Sequence, residues 1–243
     1  MNVYWSIRLG FLANYCVKRF MEDKGYYKSE RERMVEEQFI RRDITDQRVL
    51  DAMRKVPRHI FVPKEHRHLA YSDCPLPIGQ SQTISQPYIV ALMTQMLALD
   101  EQDSVLEIGT GSGYQAAVLA LITREVHTVE RHENLTKRAL KCIIDLDLKN
   151  VNLHVGDGTR GWPEHAPYDA IIATAAAPKV PQPLLDQLAD GGRLVIPVGG
   201  RVGQILELWF REGDKFKHEQ TVPVAFVPLL GDFGWKEDTW GWL

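Results

Sequence analysis

The sequence predicts an α/β fold, with a doubly wound, mostly parallel sheet, helices on both faces and an antiparallel hairpin at its C-terminal edge. Three observations support this prediction. From residue 104 onwards, strand patterns alternate regularly with helical patterns. The strand segments are nearly continuous apolar runs, as expected for parallel strands that are buried on both faces. A glycine-rich loop follows the first of these strands, at the edge where such sheets bind ligands.

The composition is that of an ordinary globular protein. The chain has 243 residues, of which 44% are hydrophobic and 25% charged, and this is enough for one large domain with additions or for two small domains. The net charge of −3 gives no reason to expect nucleic-acid binding. Cys16, Cys74 and Cys142 are too few and too scattered for a disulfide framework or a zinc site. We therefore expect a cytoplasmic protein without a metal.

Residues 1–33 are predicted to form an N-terminal extension. Lys18 and Arg19 follow its apolar stretch instead of preceding it, which argues against a signal peptide, and the stretch is too short and interrupted to span a membrane. Four apolar side chains would share one face of a weak amphipathic helix: Tyr4, Ile7, Phe11 and Tyr15. Such a helix would let residues 1–20 contact a membrane surface or a partner. A poorly ordered extension is the simpler interpretation.

Residues 34–100 are predicted to form a helical and loop part that precedes the sheet. One helix is predicted over 29–42, and a second is predicted to be capped by Thr45 and closed by Pro57. Five prolines and glycines then indicate loop with short extended pieces. A further helix begins near Pro87 and repeats apolar residues at helical spacing.

Residues 101–230 carry the alternating pattern of the sheet. Strands are predicted over 104–110, 125–130, 151–157, 168–174 and 192–199. Helices are predicted over 114–123, 132–146 and 183–189. The Gly213-Asp214 turn signal joins two further strand candidates into the C-terminal hairpin. Residues 231–243 form a Trp-rich tail outside this pattern.

The glycine loop "GTGSG" does not match the nucleotide-binding loops it superficially suggests. Gly109, Gly111 and Gly113 are glycines, but a dinucleotide fingerprint would need its third glycine where Tyr114 stands. The lysine of a phosphate-binding Walker loop is also absent. Three glycines alone indicate little, because tight turns use glycine for its positive φ.

Three acidic residues make this edge of the sheet a candidate ligand site. Glu107, Glu130 and Asp157 close three successive strands, and the carboxyl ends of parallel strands meet at one crevice. There Glu130 could accept hydrogen bonds from both hydroxyls of a ribose, and Asp157 could meet an adenine amino group. A chance arrangement of surface charge would need three coincidences at the same edge.

This pattern resembles the class I S-adenosylmethionine-dependent methyltransferases, which have a Rossmann-like fold. The resemblance implies S-adenosyl-L-methionine as the cofactor and S-adenosyl-L-homocysteine as its product. Acidic strand ends suit an ammonium and a sulfonium better than a pyrophosphate. The resemblance places Glu107 near the cofactor's amino group, Glu130 at the ribose, and Asp157 with Gly158 at the adenine. Ser112 could donate a hydrogen bond within the glycine loop.

Several stretches are more specifically similar to the protein-L-isoaspartate O-methyltransferase family, over about residues 34–230. They are "VPRHIFVP" (56–63), "PLPIGQSQTISQPYIVALMTQML" (75–97), "VLEIGTGSGYQAAVLA" (105–120), "GDG" (156–158), "APYDAIIATAAAP" (166–178), "LADGGRLVIPVG" (188–199) and "FVPL" (226–229). The resemblance implies methylation of the free α-carboxylate of L-isoaspartyl residues in damaged proteins and peptides, which starts repair through a succinimide. We expect the enzyme to be a monomer.

The block that contains Thr83, Ile84 and Ser85 is the most specific of these motifs, and we expect it to bind the substrate. Ser85 could be only the N-cap of the following helix, or it could also donate a hydrogen bond to the substrate carboxylate. These roles are compatible, because a helix N-terminus favours an anion. A carboxylate is already ionised at pH 7, so no general base is needed. Ser85 is then a catalytic residue that orients the nucleophile without activating it.

Two other functions compete with this hypothesis. A related methyltransferase acting on another carboxylate or small molecule would share the glycine loop and the acids without needing the Thr-Ile-Ser block. A non-catalytic adaptor for damaged peptides would have no reason to retain an intact cofactor site. A metal site at His59, His66 and His68 is disfavoured by their basic neighbours, and we expect surface histidines there. The small residues of "TAAAP" (174–178) would leave room for a polypeptide beside the methyl donor.

Overall fold

The computed structural model describes residues 25–201 and 203–237. The amphipathic helix predicted for residues 1–20, Cys16 and the last six residues of the tail lie outside the described residues. Within them, no helix combines the length and the apolar character that a membrane crossing would require.

The described chain begins with helix α1 (Gly25–Met34), which continues into a π-helical segment (Val35–Ile40). The helix begins earlier than the sequence predicted and crosses the predicted boundary between residues 33 and 34. Arg31 in this helix is buried, and its Nε donates a hydrogen bond to the carbonyl of Arg54. The part of the extension that the structure describes therefore packs against the domain.

Helix α2 (Gln47–Lys55) is capped by Asp46, so the prediction that Thr45 is its cap was wrong. The Asp46 carboxylate accepts a hydrogen bond from the backbone N–H of Arg48 at 2.9 Å. The backbone N–H of Thr45 instead donates to the side chain of Gln95 at 2.7 Å. The residue nearer the helix thus supplies the acceptor that the first turn needs.

Two 3₁₀ segments (Arg58–Ile60 and Lys64–Leu69) lead to a small antiparallel hairpin of β1 (Leu76–Gly79) and β2 (Gln82–Ile84). Its turn residues Gln80 and Ser81 both have positive φ, at 54° and 55°. This is the backbone conformation of a tight type I′ hairpin turn.

Helix α3 (Pro87–Met96) follows this hairpin, and its N-cap is Gln86, which makes no capping hydrogen bond with its side chain. Ser85 therefore lies before the cap, and the interpretation of Ser85 as the N-cap was wrong. Asp73, which is distant in sequence, supplies an acceptor instead, because its carboxylate receives the backbone N–H of Tyr88 at 3.3 Å.

A seven-stranded sheet forms the centre of the molecule. Its strands are β3 (Ser104–Ile108), β4 (Glu125–Glu130), β5 (Val151–Val155), β6 (Tyr168–Ala173), β7 (Leu188–Gly199), β8 (Gln204–Glu212) and β9 (Lys215–Val224). They are ordered β5-β4-β3-β6-β7-β8-β9. The pairs among β5, β4, β3, β6 and β7 are parallel, and β8 and β9 add an antiparallel hairpin at the edge. The predicted fold class is thus confirmed.

Alternate residues of the strands face two separate apolar clusters. Val105 and Ile172 belong to one cluster, whereas Leu106 and Ile171 belong to the other. Helices α3, α4 (Tyr114–Ala120) and α5 (Glu133–Asp145) contribute to the first cluster, and α6 (Gln182–Asp186) contributes to the second. Helices therefore cover both faces, which explains why nearly every residue of β3, β4 and β6 is buried.

The chain runs outward from β3 in both directions, so the strand order reverses between β3 and β6. In open α/β sheets this reversal opens a crevice at the carboxyl ends of the strands, where ligands bind. The glycine loop leaves β3 at this point.

Candidate cofactor and substrate site

A pocket lies at this crevice and gathers most of the predicted site residues. They are Thr83, Ile84, Ser85, Glu107, Gly109, Gly111, Ser112 and Glu130. The first three come from the end of the β1–β2 hairpin, and the others come from the ends of β3 and β4 and from the glycine loop. The structure therefore brings the predicted substrate block against the predicted cofactor loop, although they are separate in sequence.

Glu107 is fully buried at the end of β3. Its Oε2 accepts a hydrogen bond from the hydroxyl of Thr128, while its Oε1 has no hydrogen-bond partner among the residues described. Burial raises the pKa of Glu107 to about 8, and the charge of nearby Glu130 also raises it. A buried acid with an unpaired oxygen fits a ligand cation such as an ammonium group, which would supply both the missing hydrogen bond and the counter-charge.

Glu130 holds the backbone around it. The N–H of Gly111 donates to Oε2 and the N–H of His132 donates to Oε1, both at 2.9 Å. Each carboxylate oxygen can accept more than one hydrogen bond, so both keep capacity for the hydroxyls of a ribose. Glu130 is thus able to orient the glycine loop and to bind a ligand.

All three glycines of the loop have positive φ, and they differ in what a side chain at each position would contact. Gly109 and Gly113 have positive φ (94° and 87°), and a Cβ on them would lie 2.5 Å from Thr174 Oγ1 and 3.0 Å from Ala139 Cβ, respectively. Both are therefore required by the packing of the loop, and Gly113 does not line the pocket. The nearest atom to a Cβ on Gly111 would be Ile78 Cδ1 at 3.6 Å, in the hairpin above the loop.

Ser112 makes a hydrogen bond at the end of the loop. Its hydroxyl oxygen accepts from the backbone N–H of Tyr114 at 3.2 Å, which leaves the hydroxyl hydrogen available to donate. It satisfies a backbone donor of the first turn of α4, whose N-cap is a glycine without a side chain. Ser112 still lines the pocket.

Asp157 and Gly158 do not line this pocket. Asp157 Oδ1 accepts hydrogen bonds from the N–H and the hydroxyl of Thr159, and Oδ2 accepts one from the N–H of Asp232 at 2.8 Å. Burial raises the pKa of Asp157, but the hydrogen bonds from Asp232 and Thr159 outweigh this and lower it below its usual value. A Cβ on Gly158 would meet Ile108 Cγ2 at 2.6 Å, so packing against β3 already explains this glycine.

The contact between Asp157 and the tail is one that sequence reasoning missed. A Cβ on Gly231 would overlap the carboxylate of Asp157, so only a glycine lets the chain pass there. Arg160 also pairs with Asp232, and Arg131 pairs with Glu237 at 2.7 Å. The described part of the tail therefore lies against the end of the sheet where the adenine was expected.

Other pocket residues were missed because they lack a chemical signature in the sequence. They are Gln82, Val90, Thr110, Tyr114, Gln115 and Val227. The small residues of "TAAAP" are represented by Thr174 and Ala175, as expected from their size.

In the histidine-rich stretch, His59 is not at the surface as predicted. His59 is buried, its Nδ1 lies 2.8 Å from the Tyr71 hydroxyl, and its ring stacks on Tyr27 with 3.9 Å between centroids. The prediction of a surface position was therefore wrong for His59, because an imidazole can be buried when its nitrogen is paired. His68 is exposed. Across residues 25–201 and 203–237, no three His, Cys, Asp or Glu side chains are grouped so that they could hold a metal ion.

The chain is similar to known proteins over most of its length. Residues 29–233 match the family model described as protein-L-isoaspartate(D-aspartate) O-methyltransferase. The protein-L-isoaspartate O-methyltransferase 1 of Syntrophobacter fumaroxidans is 56% identical over 86% of this chain and 98% of its own length. The protein-L-isoaspartate O-methyltransferase of Desulfotalea psychrophila is 55% identical over the same shares.

Two solved structures are similar to the fold. A protein-L-isoaspartate O-methyltransferase superposes with a TM-score of 0.77 at 29% identity, over 84% of this chain and 67% of the other. A putative protein-L-isoaspartate O-methyltransferase from Plasmodium falciparum, in complex with S-adenosyl-L-homocysteine, superposes with a TM-score of 0.71 at 25% identity, over 84% and 98% of the two chains.

Proposed function

The chain belongs to the protein-L-isoaspartate(D-aspartate) O-methyltransferase family and is an S-adenosylmethionine-dependent protein-L-isoaspartate O-methyltransferase, and we propose that its pocket at the end of β3 and β4 is the active site. The single observation that carries this proposal is that the Thr-Ile-Ser block and the acid-flanked glycine loop line one cavity. The substrate is the free α-carboxylate of L-isoaspartyl residues in damaged proteins and peptides.

Four groups of the chain hold the cofactor in this proposal. Glu107 pairs its free oxygen with the amino group of the methionyl part, and the glycine loop runs beside that part. Glu130 accepts hydrogen bonds from the ribose. Asp157 and Gly158 lie at the adenine, where Oδ2 of Asp157 keeps a lone pair for an amino group beside the hydrogen bond from Asp232. When bound, S-adenosylmethionine supplies a methyl group activated by its sulfonium.

The chain's own contribution to the reaction is to position the substrate. Thr83, Ile84 and Ser85 bind the isoaspartyl residue, and the Ser85 hydroxyl donates to its carboxylate, so that one oxygen faces the methyl carbon. The carboxylate needs no base, and alignment of nucleophile, carbon and leaving group can contribute several kcal/mol. Thr174 and Ala175 leave space for the substrate backbone. The methyl ester then loses methanol as the backbone nitrogen attacks, and the resulting succinimide hydrolyses partly to aspartate.

Further parts of the proposal concern the state of the protein. It acts as a cytoplasmic monomer on damaged proteins, with its substrate-binding part in residues 34–100 and its cofactor-binding part in residues 101–230. Residues 1–20 contact a membrane surface or a partner, and fractionation of the full-length chain and of a chain lacking them tests this.

Methyl transfer from labelled S-adenosylmethionine tests the activity. We expect label on a peptide with one L-isoaspartyl residue and none on its twin with a normal aspartyl residue. Equal labelling of the two peptides would point to the broader carboxylate methyltransferase, and absence of label on both would point to the adaptor.

A further inference from the structure

Arg58 is a fully buried arginine directly behind the substrate block. Its Nε donates to the carbonyl of Ala70 at 2.8 Å, and its Nη2 donates to the carbonyl of Ser85 at 2.7 Å. The guanidinium carbon lies 4.8 Å from the ring centroid of Tyr114. Both Ser85 and Tyr114 line the pocket, so Arg58 contacts two of its walls from inside the protein.

The charge of Arg58 is not neutralised by a carboxylate within salt-bridge distance in the described chain. Asp73, whose charge acts on Arg58 from a distance, pairs with Arg42 at 2.9 Å. The Nη1 atom of Arg58 is buried and has no hydrogen-bond partner among the residues described. Burial lowers the pKa of Arg58 to about 10, so the side chain stays charged at neutral pH.

A buried charge of this kind is costly for the fold. An unpaired ion inside a protein loses its hydration without gaining a counter-ion, and the fork of a guanidinium leaves a strong donor unused. The other groups that face Arg58 are Tyr71, Tyr114 and Cys74, which are neutral in their ordinary protonated forms. A positive charge without a counter-ion therefore lies directly behind Ser85, the residue that is proposed to bind the substrate carboxylate.

We propose that Arg58 is a positioning residue for the isoaspartyl carboxylate. Its hydrogen bond to the Ser85 carbonyl fixes the peptide group that joins Ser85 to Gln86, at the start of α3. Its charge supplies the positive potential that the substrate carboxylate compensates on binding. The proposal rests on the proposed function and adds a residue that acts on the substrate through Ser85, without touching it.

The experiment compares two ligands that differ only in charge. Binding of an isoaspartyl peptide and of its α-carboxamide twin is measured in the presence of S-adenosyl-L-homocysteine, for the wild type and for Arg58→Met. We expect the variant to reduce the preference for the carboxylate by about tenfold or more, and to bind S-adenosyl-L-homocysteine within about threefold of the wild type. An unchanged preference in the folded variant overturns the proposal.

Two further variants separate positioning from folding. Arg58→Lys retains the charge but cannot make both hydrogen bonds of the planar guanidinium group. We expect it to keep much of the carboxylate preference while kcat falls. A loss of preference equal to that of Arg58→Met would refute the electrostatic role. Arg31→Met removes another buried arginine that binds a backbone carbonyl and that does not line the pocket. We expect it to lower Tm without changing the preference. If the wild type does not methylate the isoaspartyl peptide, the proposed function fails first.

Discussion

Ser85 shows how a single residue can be assigned only after its neighbours are known. It precedes the N-cap of α3 and its carbonyl is held by Arg58, so its hydroxyl is not needed to cap the helix. A role in substrate binding therefore predicts a defect in activity that is independent of stability. The cofactor acids, by contrast, should affect the cofactor first.

The first prediction contrasts Ser85→Ala with Glu130→Ala. We expect Ser85→Ala to lower methyl transfer, with S-adenosyl-L-homocysteine affinity within a few-fold and Tm nearly unchanged. Glu130→Ala should weaken that affinity by about 1–3 kcal/mol, because buried hydrogen bonds are lost. Activity assays, calorimetric titration and thermal melts measure these effects, with the exposed Ser72→Ala as control. A Ser85→Ala protein that turns over normally would show that its hydroxyl does not orient the substrate.

The second prediction concerns the pH dependence caused by Glu107. Burial raises the pKa of Glu107 from 4.5 to about 8. In the absence of ligand, the neutral form of Glu107 therefore contributes its full stabilisation of the fold below pH 4.5. This stabilisation is lost as the pH rises to about 8. An ammonium ligand needs the ionised form. We therefore expect the affinity for S-adenosyl-L-homocysteine to rise by up to about tenfold per pH unit between about pH 6 and 8.

Titration calorimetry at several pH values measures this rise. Glu107→Gln should bind more weakly and with little pH dependence over the same range. A rise of equal size in wild type and variant would mean that another group controls binding.

Among the elements, the tail segment after β9 departs furthest from its prediction. Sequence pattern set residues 231–243 apart from the domain, whereas Gly231 and Asp232 pack against Asp157. The predicted helices and strands of the sheet are present with bounds that differ by a few residues, but Leu188 and Ala189, which were predicted to end a helix, begin β7 instead. The residues that cap the helices were less predictable. Asp73 accepts a hydrogen bond from the first turn of α3, and no sequence motif next to this helix indicates it.

The third prediction tests this segment with Gly231→Ala. The added Cβ would overlap the Asp157 carboxylate, so either the segment or that side chain must shift, and the geometry of the Asp232 hydrogen bond is disturbed. We expect a lower Tm and weaker binding of S-adenosyl-L-homocysteine. Gly200→Ala is the matched control, because its Cβ would meet only Trp235 at 4.0 Å. Equal effects of the two variants would show that the contact with Asp157 has no part in cofactor binding.

For the whole molecule, the described residues of the predicted N-terminal extension add contacts to the domain. Helix α1 contributes buried Arg31 and the ring of Tyr27 to the contacts with Arg54 and His59. These contacts lie before the boundary that the sequence suggested.

The fourth prediction compares two truncations. Removal of residues 1–24 should leave Tm and methyl transfer to a short isoaspartyl peptide unchanged. Removal of residues 1–33 also deletes most of α1, and we expect it to lower Tm by several degrees, since loss of buried contacts typically costs about 1 kcal/mol or more. Thermal melts of both purified proteins measure the difference. Equal melting temperatures would mean that α1 does not stabilise the domain.

The sequence alone is enough to predict the order of strands and helices, the glycine loop and the acids at the strand ends. These features follow from local periodicity and from the rule that parallel strands end at one edge, so they need no knowledge of distant contacts. It also carried the family motifs, including the Thr-Ile-Ser block.

The folded structure, in contrast, is needed to learn which residues meet. It brought the hairpin against the glycine loop, buried Arg58 behind Ser85, gave Asp157 a partner in the tail and left one oxygen of Glu107 unpaired among the described residues. Each of these depends on residues far apart in the chain, and burial and hydrogen bonding across such distances set their charge and orientation.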